Sequence, residues 1–502
     1  MSDADDNRER RIATRTKLAF SAGSIEDSII GAASLTTIIF YNQVLGLSAA
    51  LCGMAMLIAS VADAITDPLV GNLSDRWRSR WGRRHPPMLA SAVPMAITFY
   101  LMYQPIAGLS EVGLFLWLTL TSVMLRTFKT IFVIPHNALG AELTDNYEER
   151  TSVFAYNGVA LMASNHVLAL VVLFLVFPSS PDYSNGLLDP NRYDLLAWLG
   201  AVGILVAVFY CVWGTRDQIP YLHAHDRSRL ALRDHVSNMG QLFRNRSYRA
   251  VCVTWLIMAT SGGILGTVST YCYVYAFQIS TEEIGVVRFG LIPGLFIALP
   301  LASYCTRQLD KKWTMLFAVM GAAFFAGFPY TMALLGWAPS SESGMLLPFL
   351  VGSMVMMGLT YPLVPIVVDS MLSDVADEHE LETGQRSEGL IFSIKSFCMK
   401  TTHGLGGLIA GFGLEIIDFP ERAEVGDLAP GTLDGLLLMA GPGYYLFVLI
   451  GLSFGLTYAI SRTRHRQILA TLAERRRIRG KRSHGAGSGA GRGYFGDAVE
   501  AE

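Results

Sequence analysis

Between Ala62 and Pro86 the sequence ADAITDPLVGNLSDRWRSRWGRRHP sets two aspartates, Asp63 and Asp67, in a long apolar run that ends at a cluster of arginines. Aspartates four residues apart share one helix face, with about 5–6 Å between their β-carbons. Such a pair can offer several oxygens to a small cation, or share a proton because like charges resist joint ionisation. An ionisable group at membrane depth costs roughly 2.5–3.5 kcal/mol on insertion scales, so an intramembrane pair marks an ion or substrate path. The competing role is structural, with one aspartate paired to a buried Arg or Lys.

The elements that carry these residues are membrane helices. Of 502 residues, 52% are hydrophobic and 16% charged, against roughly 25% charged in soluble proteins. About a dozen apolar stretches are long enough for a bilayer core of roughly 30 Å. They fall near 17–43, 51–74, 87–107, 112–137, 152–177, 194–214, 250–277, 283–305, 313–336, 345–373, 389–417 and 440–461. These lengths far exceed what a barrel strand needs, so the expected class is an all-α multi-pass membrane protein with twelve spans. Basic residues precede the first span (Arg8, Arg10, Arg11, Arg15, Lys17), follow the second (Arg76 to Arg84) and the eighth (Arg307, Lys311, Lys312), and follow the last (Arg462 to Arg482). With twelve spans all of these lie on one side, which the positive-inside rule makes the cytoplasm, with both termini there.

The net charge of -2 hides this segregation and says little about partners; no nucleic-acid partner is expected. The six cysteines lie in or beside apolar segments without paired spacing and read as core residues. The basic N-terminus runs straight into a segment containing Glu26 and Asp27, unlike a cleaved leader. The sequons at Asn72 and Asn245 fall on the cytoplasmic side, which favours a bacterial inner membrane. No nucleophile–base pair or metal-ligand cluster points to an enzyme, and no G-x-x-x-x-G-K-[ST] loop points to ATP. Transport must then draw on an ion gradient or run downhill.

A polar, basic segment (215–249) separates six spans (1–214) from six (250–462), and a basic, Gly/Ser-rich tail (463–502) reads as disordered. Charged loops after spans two and eight suggest two related bundles with a site between them.

Four segments, in order, resemble the glycoside-pentoside-hexuronide:cation symporter family (melibiose-permease-like) of the major facilitator superfamily. They are DAITDPLVG with RSRWGRRHP, VIPHNALGAELTDNYEERT, DVADEHELETGQRSEG, and FCMKTTHG. The resemblance spans about Lys17 to Lys400 and implies two six-helix bundles in the major facilitator fold. It implies a cation site, for Na⁺ or H⁺, at Asp63, Thr66, Asp67 and Thr130, although each threonine hydroxyl can instead bond its own helix. It places Lys400 as a coupling residue beside that site. Lys129, uncharged in the melibiose carrier, is open to pairing with Asp63 or Asp67 or to binding an anionic substrate.

The chain departs from the family's sugar clamp. The matching positions are Ser28, Val133 and the vicinity of Asn157 and Gly158, where carboxylates and an arginine are otherwise found. A different polar lining is expected from Asp27, Ser28, His136, Asn137, Tyr156, Asn157 and Asn165, with interhelical hydrogen bonding as the alternative for His136 and Asn165. The loops offer gating contacts at Asp75, Arg76, Arg83, Arg84 and Arg386, or serve as topology signals alone. The expected function is cation-coupled symport of a sugar or glycoside-like solute by a monomer that needs no cofactor. Transport of a lipid or other amphiphile is the alternative, and a non-transporting receptor a further one.

Overall fold

A computed structural model describes residues 11–76, 79–144, 146–222, 242–243, 245–383 and 388–489; Arg386 lies outside them, as do the side chains of Asp75, Arg76 and Lys400. The described chain is helical, with no strand. Its first bundle runs α1 (Thr14–Ala22), α2 (Ile25–Ile39), α3 (Ala49–Arg76), α4 (His85–Met102), α5 (Glu111–Glu142), α6 (Tyr147–Val171) and α7 (Arg192–Thr215). The second runs α8 (Arg246–Tyr271), α9 (Thr281–Phe289), α10 (Leu291–Gln308), α11 (Lys311–Leu334), α12 (Leu346–Thr360), α13 (Leu363–Thr383), α14 (Glu388–Ile416), α15 (Pro430–Leu438) and α16 (Tyr444–Gly455). Among the described residues, eight helices are long and apolar enough to cross a membrane.

Local chemistry marks several helix starts. Asn146 accepts from the backbone N–H groups of Glu148 and Glu149, at 2.9 and 3.1 Å. Ser280 and Glu283 form a reciprocal capping box at α9. The last apolar helical run begins at Pro430, ten residues before the expected 440, and ends at Gly455. Proline is favoured at a helix start, where its missing N–H is not needed. The segment expected as a disordered tail is helical over Arg462–Gly489 (α17). Its Arg, Ala and Leu residues favour helix, and His465 ties it to Asp377 at 3.0 Å.

Packing repeats between the halves. In the first, α3 and α4 pack on α5, and α4 on α7; in the second, α10 and α11 pack on α12, and α11 on α16. A π-turn ends the first helical run of each half, at Phe40–Val44 and at Cys272–Ala276. The halves meet most closely where α3 crosses α14. There a Cβ on Gly53 would lie 2.6 Å from the Gly407 carbonyl oxygen, and one on Gly411 2.2 Å from that of Ala49.

The described hydrogen bonds joining the halves all lie at one end. Tyr271 and Tyr275 donate to Asn42 and Gln43 at 2.9 and 2.8 Å, Arg422 to the Leu45 carbonyl at 2.8 Å, and Asn185 to that of Ile279 at 3.0 Å.

Candidate functional site

Helix α3 follows its own hydropathy. Ile58, Val61, Ile65, Leu69 and Leu73 recur every three or four residues and are exposed, forming an outward apolar stripe. The opposite face therefore carries Asp63 and Asp67 inward. Both line a central cavity of about 780 Å³, with walls from both halves: Asp27, Arg126, Lys129 and Thr130 from the first, Gly263 and Thr267 from the second.

Thr130, on α5, reaches across to α3. Its hydroxyl lies 2.8 Å from Asp63 Oδ1 and 3.0 Å from Asp67 Oδ1. A hydroxyl has one proton to donate, so the two carboxylate oxygens share it in a three-centre contact. Arg126 lies one helical turn earlier, its guanidinium 3.7 Å from Asp63 Oδ2. Lys129 pairs with Asp27 of α2, rather than with the α3 aspartates that the sequence left open. Two cations and three carboxylates thus share one cavity wall. Among the described residues no group of three or more His, Cys, Asp or Glu could hold a metal ion, so the oxygen set here is two carboxylates and a hydroxyl.

The remaining sequence candidates divide. Thr66 donates its hydroxyl to the backbone carbonyl of Asp63 at 3.2 Å, as threonines in membrane helices often do. Of the residues expected to line a substrate site, Asp27 and Asn165 do so. Ser28 is fully buried and bonds Ser164 at 2.7 Å, which turns it toward α6. His136 bonds the Phe20 carbonyl at 2.8 Å and stacks on the Phe20 ring, an interhelical role. Asn157 accepts from Ser24 at 2.7 Å, and Tyr156 lies under the Lys17 ammonium. Asn137 is exposed and lines neither cavity. For Ser28, His136, Tyr156 and Asn157 the reason is shared: a polar residue beside the bundle's centre finds a partner on the neighbouring helix before it reaches the cavity.

Arg83 and Arg84 converge on Glu142 at the end of α5, each 2.8 Å from its Oε1, and Arg84 also donates to Ser74 at 3.0 Å. The second half repeats this at the corresponding place: Lys311, at the start of α11, lies 2.7 Å from Asp374 near the end of the fourth helical run. Sequence reasoning missed Glu142; its position in GAELTD, at the end of an apolar run and opposite a basic loop, was the available signal. It also missed a second cavity of about 460 Å³, lined mainly by the second half and on one side by residues 165–173 of the first, which shares Asn165, Gly262, Gly263 and Gly266 with the central one.

Two repeated helical bundles around a shared, charged cavity define a membrane transport protein. A family model described as MFS/sugar transport protein matches residues 20–462, and the chain belongs to that family. It is similar to the uncharacterized symporter YnaJ of Bacillus subtilis (strain 168), with 26% identity over 86% of this chain and 88% of that one. It is similar to the isoprimeverose transporter of Lactiplantibacillus pentosus, with 23% identity over 74% of each. The crystal structure of a D-xylose-proton symporter shares the fold, with TM-score 0.60 and 13% identity over 88% of this chain and 96% of that one. The protein is therefore a multi-pass cell-membrane transporter of the symporter type, and not an enzyme.

Proposed function

We propose that this chain couples entry of a small cation, Na⁺ or H⁺, to movement of a sugar or glycoside-like solute by alternating access. One observation carries the proposal: three hard oxygens, from Asp63, Asp67 and Thr130, converge on the wall of a cavity lined by both halves. Such oxygens suit sodium, and two neighbouring carboxylates equally suit a shared proton. A cation here neutralises a charge that would otherwise resist closure of the halves around a solute. The sugar-like solute rests on the relatives, one of which is an isoprimeverose transporter. Twelve crossings follow if 14–44, 85–102, 281–308 and 388–416 also span, with both termini cytoplasmic by the basic-loop bias. The clasped end then faces outward, and the cavity is entered from the cytoplasmic side. Lys400 belongs to this reading as a positive charge on α14, the helix packed against α3.

The test is uptake into proteoliposomes under an inward Na⁺ or H⁺ gradient, over a panel of labelled sugars, glycosides and lysolipids. One cation should drive uptake of at least one sugar or glycoside, and Asp63→Asn or Asp67→Asn should abolish the dependence on the gradient. Uptake that ignores both gradients would remove the coupling, and accumulation of lysolipids alone would move the solute to an amphiphile.

A further inference from the structure

The basic side chains lining the two cavities are not equivalent. Lys129 pairs with Asp27, and Arg126 faces Asp63. Arg288, near the end of α9, opens onto the second cavity, where no Asp or Glu is among the described lining residues. Its described polar contact is Thr270, 3.4 Å from a terminal nitrogen, and its buried Nε has no hydrogen-bond partner. The same cavity is lined by Tyr273, Tyr330 and Tyr361, with Met354 and Met357. A half-buried guanidinium with no carboxylate among its described contacts retains unmet donors, and its fork matches a carboxylate or phosphate group in two-point contact. Aromatic and thioether walls favour an apolar or aromatic body beside that group.

We propose that Arg288 is the anion-recognising residue of a subsite in the second half, which takes an organic solute bearing one anionic group on an aromatic or apolar body. The proposal rests on the transport reading above and narrows its solute. The wall shared through Asn165, Gly263 and Gly266 lets one solute extend from the central cavity, with its hydroxyl-bearing part near Asp27 and Lys129, to Arg288. An anion fits this arrangement because the other cations of the cavity already face acids.

The experiment measures equilibrium binding to the purified full-length protein in nanodiscs, without any gradient, using 4-nitrophenyl β-D-glucoside, its 6-phosphate and 4-nitrophenyl β-D-glucuronide. The wild type should bind at least one anionic compound more tightly than the neutral glucoside, and the two anions separate phosphate from carboxylate recognition. Arg288→Gln should weaken the preferred anion on the order of 30-fold or more, with little change for the glucoside. Arg288→Lys should restore part of the preference, which a fold defect would not. Equal loss for neutral and anionic compounds, no anion preference in the wild type, or binding of none of the three overturns the proposal. Because no ion gradient enters the assay, failure of cation coupling would leave its outcome intact.

Discussion

The Thr130 hydroxyl lies 2.8 Å from Asp63 Oδ1 and joins α5 to α3 at the wall of the central cavity. The same hydroxyl is 3.0 Å from Asp67 Oδ1, so one side chain holds both carboxylates toward a common point. Thr130→Val removes that oxygen with little change in volume. Apparent affinity for the coupling ion should fall about 10-fold or more, the scale of a hydrogen bond to a charged group. Thr130→Ser should stay close to wild type. Uptake measured against Na⁺ concentration and against pH checks this; an unchanged ion dependence in the valine variant removes Thr130 from the site.

Lys129 and Asp27 are joined while both face the cavity, with side chains 29% and 44% exposed. Lys129→Gln or Asp27→Asn alone leaves a charge without its counterpart, at a cost between surface and buried values, about 1–3 kcal/mol. The double variant should be more stable than additivity of the singles allows. Thermal unfolding of all four proteins tests this, and additive losses would show that the pair is not coupled.

Arg84 is nearly buried and shares Glu142 with the more exposed Arg83. Glu142→Gln should therefore destabilise by roughly 3 kcal/mol, as expected when a buried ion pair loses one member, and Arg84→Gln should cost more than Arg83→Gln. Denaturation in detergent provides the measurement. Equal effects of the two arginine substitutions would mean that burial does not set the strength of these ion pairs.

Gly411 permits the close crossing of α14 over α3, because an added Cβ would meet the Ala49 carbonyl oxygen at 2.2 Å. Backbone cannot give way as a flexible side chain can, so Gly411→Ala should part the two helices at the clasped end. Cys52 is fully buried in the same region of α3, and its labelling by a small maleimide, followed by peptide mass spectrometry, should rise severalfold. Unchanged labelling would show that the clasp does not depend on this contact.

Glu421, exposed in the connection after α14, is held above the ordinary carboxylate range by partial desolvation and then by Glu111 and Glu415, with Arg422 opposing, an effect that solvent screens to a small one. Glu111 belongs to the first half, so these acids repel across the clasp. A raised carboxyl holds its proton better in the folded, clasped state than in the open chain. Its contribution is therefore full below the ordinary carboxylate range and is lost as pH rises through the higher folded value. Thermal stability should rise on mild acidification through that window, and Glu421→Gln should flatten the dependence; an unchanged slope in the variant assigns it to other groups.

Legibility in the sequence followed the range of the physics involved. Apolar length and the placement of basic residues are local properties, so the helical class was readable from composition. The inward face of α3 was readable as well, because its apolar stripe recurs at the helical period. What lies across a helix face was not. The sequence left Lys129 open to Asp63, Asp67 or an anionic substrate, and only the arrangement of helices around the cavity selected Asp27. Ser28, His136 and Asn157 were polar and close in sequence to the expected lining, yet the rotation of their helices gave each a neighbour outside the cavity. The second cavity with Arg288 was equally hidden, since an isolated arginine in an apolar segment carries no mark of which groups will surround it. Sequence determines which side chains a helix presents and at what spacing, because backbone geometry repeats along the chain. Which of them meet is decided only when the helices pack, because that depends on crossing points and rotations set by many distant residues together.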